Sequence, residues 1–313
     1  MPPDLLPPEL RDWLEGPDVL GRRVVAVEVL AGGHSNETLA VTAEDGRRYA
    51  LRRYPGTGTC AVEVALLARL DGVVPIAPVV AADPDGERSG APALLSLLVS
   101  GRDLGSVLPT LAPADAAACG REVGAGLAAL GTVAFDAPGF FDGPGLVPGP
   151  PGVDPTTGLD AFVERCLAAS APARDALGAE GCAGLRATAE RFARPLQRLA
   201  GQRRLVHADF NPKNLLVAER DGRWVLAAVL DWEFAFSGCP LFDVGNLLRR
   251  PRPEGFERGF VAGFTAGGGD LPPDWRVLST GLDLFSIADL LTRPPEHRYF
   301  QQAVTVVREL LAG

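Results

Sequence analysis

No stretch of this 313-residue sequence could carry it through a bilayer. The longest apolar runs, such as residues 91–100, fall well short of the roughly 20 residues a spanning helix needs. The opening residues MPPDLLPPELRDWLEG are acidic and broken by proline, and no basic segment leads into an apolar core, so they do not read as a signal peptide. Cysteine is sparse: Cys60, Cys119, Cys166, Cys182 and Cys239 are odd in number and include no C-x-x-C pair. That argues for reduced thiols and a cytoplasmic protein. Positive charge is also short, and a formal net charge of −9 disfavours a nucleic-acid partner, which needs a basic face. The acidity is compatible with a cationic ligand, but exposed charges are screened beyond about 8 Å at physiological salt, so only acids lining a pocket would matter.

Several chemistries are excluded by missing motifs. No G-x-x-x-x-G-K-[ST] occurs, which removes a P-loop kinase. No G-x-S-x-G elbow occurs either, since Gly33-His34-Ser35-Asn36 runs on into Glu37. Glycine and proline are plentiful but have no period, and no internal repeat is present, so they mark loops rather than a fibrous chain.

What is there concentrates in residues 205–248, which read LVHADFNPKNLLV, then AAVLDWEFAFSG, then CPLFDVGNLL. Short Val- and Leu-rich runs predict buried strands, leaving His207, Asp209 and Asn214 in one polar loop and Asp231 at the end of the next strand. This set suits metal-assisted phosphoryl transfer. A carboxylate beside an acceptor hydroxyl takes its proton, while an amide oxygen and a second carboxylate hold Mg²⁺ against nucleotide phosphates. Asp209 fits the first role; Asn214 and Asp231 fit the second. Taken singly, Asn214 is an ordinary loop amide and Asp231 a turn former. The ordered set H-x-D-x-x-x-x-N, apolar strand, Asp is far more specific.

The residues His207-Ala208-Asp209-Phe210-Asn211-Pro212-Lys213-Asn214, Leu230-Asp231-Trp232-Glu233 and Pro240-Leu241-Phe242-Asp243 resemble the aminoglycoside phosphotransferase and choline kinase family of small-molecule kinases. The resemblance implies an α+β, two-lobed protein-kinase-like fold, with a small antiparallel-sheet N-lobe (1–100) binding nucleotide and a larger, mainly helical C-lobe (101–313) binding the acceptor. It implies Asp209 as the catalytic residue, Asn214 and Asp231 as Mg²⁺ ligands, and His207 and Asp243 as structural support, with Asp243 bracing the loop. The logic is similar to a protein-kinase catalytic loop. No A-P-E segment follows Asp231, which favours a small acceptor over a protein.

The same resemblance orders the N-terminal part. Strands are expected at 24–30, 37–42 and 48–54, and the glycine turn 31–36 lies where the family places a short loop over the nucleotide, making Ser35 and Asn36 candidate phosphate contacts. Arg52 stands where a basic residue reaches the α/β-phosphates, a position where lysine is common, and Glu63 on a helix over 60–70 is its expected partner. Strands over 73–81 and 93–99 close the lobe, with Ser96 and Leu98 at the adenine-binding hinge by resemblance. Helices are expected at 113–130, 159–169, 183–199, 256–265, 275–291 and 299–311, and a loop over 136–158. Gly124 and Gly126 within 113–130 read as close helix packing, because no strand immediately precedes them.

The expected activity is transfer of the γ-phosphoryl group of ATP or GTP, with Mg²⁺, to a hydroxyl of a small, possibly cationic molecule, with no nucleic-acid or membrane partner. The alternatives are a metabolic kinase for choline, homoserine or a sugar, and a nucleotide-binding pseudokinase. Lys213, Glu233, Asp283 and Asp289 remain unassigned.

Overall fold

The computed structural model describes residues 5–30, 36–149 and 154–312. The chain forms two compact units, one of Met1–Val107, Phe141–Val147 and Lys213–Glu233, the other of Leu108–Phe140, Pro148–Pro212 and Phe234–Gly313.

The first unit opens with α1 (Pro8–Glu15), followed by β1 (Val24–Val29), β2 (Glu37–Ala43), β3 (Arg48–Arg53), α2 (Thr57–Leu70), β4 (Val79–Asp83), β5 (Ala93–Leu97), the short β6 (Arg102–Asp103) and the one-turn α3 (Leu104–Val107). The chain then enters the second unit with α4 (Pro113–Leu130), passes through β7 (Gly139–Asp142) and β8 (Val147–Pro148), which the unit boundaries divide, and continues in the second unit with α5 (Leu159–Ala169), α6 (Ala171–Leu196) and β9 (Arg204–Val206). It returns to the first unit as β10 (Leu215–Arg220) and β11 (Arg223–Val229). It finishes in the second with β12 (Phe236–Gly238), α7 (Leu241–Leu248), α8 (Glu254–Ala266), α9 (Trp275–Leu290) and α10 (Arg298–Ala312).

In the first unit the sheet order is β1-β2-β3-β5-β4, antiparallel throughout. Its core side receives α1. Pro8 opens that helix where its missing N–H is not needed, and Leu10, Trp13 and Leu14 then fall on one face at helical spacing. They pack with Leu39, Val41, Tyr49, Leu51 and Leu95, each large apolar side chain contributing about 1.5–3 kcal/mol by leaving water. Sequence inspection found only a proline-broken leader here, because the helix is short and its partner face lies on distant strands. The strand expected over 73–81 begins only at Val79: Val73 and Val74 turn back onto Leu70, and Pro75 and Pro78 lack the N–H that a ladder requires.

The expected lobe division at residue 100 differs from these units, because β6 pairs with β10 and β10 with β11, so 213–233 joins the N-terminal unit. In the second unit β12 pairs with β9 on one side and with Gly139 and Phe140 of β7 on the other, β7 lying in a stretch expected to be loop. The helix expected at 183–199 is the second half of α6, which starts at Ala171 and is broken at Gly178, where φ is +69°. Helices α4 and α8 approach so closely that a Cβ at Gly120 or Gly124 would strike the Phe256 or Phe260 carbonyl, and one at Gly259 the Ala117 carbonyl. Gly124 therefore serves helix packing, while Phe256, Phe260 and Phe264 of α8 are buried in the same unit. Among the described residues, no helix is long and apolar enough to cross a membrane.

Candidate active site

In the second unit, β9 delivers the chain to His207. The buried Asp243 carboxylate, in the first turn of α7, accepts hydrogen bonds from the His207 and Ala208 amides at 2.7 and 2.9 Å. Ala208 sits at φ +67°, a left-handed conformation that a non-glycine residue adopts only where its surroundings enforce it. The Asp209 amide donates to His207 Nδ1 at 3.2 Å, which makes that nitrogen an acceptor and holds the ring fully buried at the base of the loop. Asn211 closes on Asp209 twice, its amide donating to the Asp209 carbonyl at 2.8 Å and its side chain to the Asp209 carboxylate. Burial pushes the Asp243 carboxyl up to about 7, against the two backbone N–H bonds that pull it down. The loop thus rests on one interior acid that faces no solvent.

In the first unit, register places Asn214 and Asp231 at the same end of one hairpin. Leu215 pairs with Val229, and the Leu230 amide donates to the Asn214 carbonyl at 2.9 Å, so the two residues flank the β10–β11 ladder. Asp231 adopts φ +70°, turning out of the strand direction. Its carboxylate is held by Arg52 Nη2. Arg52 Nη1 donates to Glu63 Oε1 at 2.7 Å, the pairing expected from sequence, and the Tyr54 hydroxyl donates to Glu63 Oε2 at 2.8 Å. Arg52 Nε is buried with no hydrogen-bond partner among the described residues. Burial alone would lower the Arg52 pKa, but Glu63 and Asp231 outweigh it and keep the guanidinium charged. Burial raises the carboxyl of Glu63, only 3% exposed, with Arg52 and Tyr54 opposing that rise.

The Asn36 side-chain amide donates to Glu233 Oε2 at 2.6 Å. Ser35 lies outside the described residues. Ser96 is buried on β5 opposite Ala50, and the Leu98 amide already donates to the Arg48 carbonyl at 3.1 Å, so that donor is not available to a base.

Sequence reasoning passed over three of these partners. Tyr54 lies two residues after Arg52, which places both on one side of the strand, and that spacing was a usable signal. The Asn36–Glu233 bond spans 197 residues and left none. Arg249, just past α7, forms a two-bond ion pair with Asp283 at 2.7 Å each and feels the charge of Asp209. Asp283 therefore is a buried, neutralised helix acid, although it also lines a cavity of about 210 Å³ with Trp275, Ser279 and Thr280. The Asp289 carboxyl is raised by burial, with Arg293 opposing. A larger groove of about 750 Å³ runs along α2, lined by Val64, Leu67, Val74, Ile76 and Val79, and holds none of the expected site residues.

Hard oxygen donors such as the Asp231 carboxylate and the Asn214 side-chain carbonyl suit Mg²⁺, which takes one or two protein carboxylates and completes its shell with phosphates and water. Among the described residues, no group of three or more His, Cys, Asp or Glu is placed to hold a metal ion.

An acid-braced loop carrying Asp209, a sheet-borne Arg–Glu pair and a strand-end Asp on an α+β scaffold define a protein-kinase-like fold. The chain belongs to the phosphotransferase enzyme family, whose model matches residues 26–279. It is similar to the GDP and kanamycin complex of APH(2")-IIia, with 16% identity, 96% of each chain covered and a TM-score of 0.70. It is similar also to a thermostable mutant of aminoglycoside phosphotransferase APH(4)-Ia in ternary complex with AMP-PNP and hygromycin B, with 19% identity, 98% of each chain and a TM-score of 0.65. A third is the macrolide 2'-phosphotransferase MphH of Brachybacterium faecium, with 19% identity, 92% of this chain and 94% of that one, and a TM-score of 0.59. At these identities the likeness establishes the fold. No curated protein matches the chain in sequence.

Proposed function

We propose that this chain transfers the γ-phosphoryl group of ATP or GTP to a hydroxyl of a small molecule. The observation that carries the reading is the loop at Asp209: Asp243 fixes its base through two amide bonds, and Asn211 orients the Asp209 carboxylate. A carboxylate so held is suited to align an acceptor hydroxyl and accept its proton, while positioning and charge neutralisation supply most of the rate. His207 supports the loop with a ring nitrogen that accepts a backbone N–H, so it holds geometry rather than moving a proton.

On the nucleotide side, Arg52 neutralises phosphate charge and Glu63 holds Arg52 in place; Ser35, Asn36, Ser96 and Leu98 belong to the nucleotide-binding set, Leu98 through its carbonyl. Asn214 and Asp231 hold Mg²⁺, which supplies neutralisation of the phosphate oxygens. The nucleotides in the complexes of APH(4)-Ia and APH(2")-IIia support a nucleotide donor, and their hygromycin B and kanamycin support a small polyhydroxylated acceptor, aminoglycoside-like in class.

The test is phosphoryl transfer from labelled ATP and GTP, with Mg²⁺, to a panel of aminoglycosides, macrolides, choline, amino alcohols and sugars. Asp209→Asn is expected to lower turnover by roughly 100- to 10,000-fold with nucleotide binding retained. Undiminished transfer by that variant would refute the assignment.

A further inference from the structure

Arg52 divides its guanidinium between two carboxylates. One terminal nitrogen holds Glu63, the other holds Asp231, and Nε, next to Nη2 on the side-on edge of the fork, is buried without a partner among the described residues. The side chain is only 14% exposed, so water does not freely satisfy that N–H. The Nε–Nη2 edge is the face of arginine that grips two oxygens of a phosphate at once. Here one half of it is occupied by Asp231 and the other half is empty.

We infer that Arg52 is an exchange switch: its fork holds Asp231 away from cations until a nucleotide phosphate takes the Nε–Nη2 edge and sets Asp231 free to ligate the metal. This rests on the phosphotransferase reading and adds an order to it. Glu63 stays on Nη1 throughout, anchored by Tyr54, so the guanidinium is not lost from the site when Asp231 leaves. A phosphate dianion satisfies both Nε and Nη2, whereas Asp231 reaches only one of them, which favours the exchange once nucleotide arrives. Lysine at this position is a single point charge and has no edge to hold one carboxylate while trading another.

Mn²⁺ binding to the nucleotide-free protein, followed by electron paramagnetic resonance, reads the switch directly. Arg52→Lys keeps the positive charge but removes the fork, and is expected to bind Mn²⁺ about tenfold more tightly than the unmodified protein. Asp231→Asn is expected to abolish that gain, which locates it. Metal-free ADP, added in EDTA, is expected to bind the unmodified protein more tightly than Arg52→Lys. A crystal structure of the unmodified protein with ADP in EDTA is expected to show Arg52 Nε and Nη2 on a phosphate and Asp231 no longer in contact with Arg52. Equal Mn²⁺ affinity in the two proteins, or an Arg52–Asp231 contact that persists beside bound ADP, overturns the switch while leaving the phosphotransferase reading intact. Failure of the unmodified protein to bind ADP at all overturns both.

Discussion

The interior acid beneath the Asp209 loop makes a sharp pH prediction. Asp243 is fully buried, and its carboxyl stands at about 7 in the folded chain against a usual 3.8. Between those values the folded state keeps a proton that the unfolded state has lost. Stability from this group is therefore complete below about pH 3.8 and falls as pH rises through 7. At about 1.4 kcal/mol per unit, the full loss is about 4 kcal/mol, of which about 3 kcal/mol falls between pH 5 and pH 8. Asn at this position has no proton to lose. It keeps one acceptor oxygen but turns an NH₂ toward one of the two amides, so Asp243→Asn is expected to cost about 1–3 kcal/mol at pH 5. Urea unfolding of both proteins at pH 5 and pH 8 measures the comparison. The deficit of the Asn variant should shrink, or reverse, by about 3 kcal/mol at the higher pH. A deficit equal at the two pH values to within about 0.5 kcal/mol would show that Asp243 is ionised in the fold at pH 5 and would refute the reasoning.

Two further expectations concern packing in the second unit. Gly259→Ala puts a methyl into the Ala117 carbonyl and should destabilise by about 1–3 kcal/mol or more in urea, with unchanged stability contradicting the close approach of α4 and α8. Asp283→Ala leaves Arg249 without its two-bond partner and should cost about 3 kcal/mol, much of it recovered by adding Arg249→Met; an additive double variant would show that the pair is not coupled.

The local placement of residues 205–248 was legible because it is short-range: Asp209, an amide five residues on, and a strand-end Asp are positioned by loop length and strand register, both visible in the residue pattern. The Arg52–Glu63 pair was expected from the family resemblance, and the structure forms it. The α+β class came with the family resemblance, while most helices followed from apolar periodicity, with α4 matching its expected bounds of 113–130. The failures were equally physical. The segment 73–78 has strand-like composition, yet its prolines deny it a ladder, and α1 is too short to announce itself apart from the sheet that covers it. The glycine turn's Ser35 falls outside the described residues and stands as an expectation.

The sequence by itself determined which polar groups stand at the loop and strand ends and in what order, because backbone periodicity and turn chemistry act over a few residues. Only the tertiary structure decided which of those groups are already engaged. Asp231 is held by Arg52 from 179 residues away, Glu233 by Asn36 from 197, and Asp283 is neutralised by Arg249 from 34. Such pairs are selected by burial, where an ionised or polar side chain must find a partner or bear the cost of leaving water, and no local pattern encodes which partner the packing will bring.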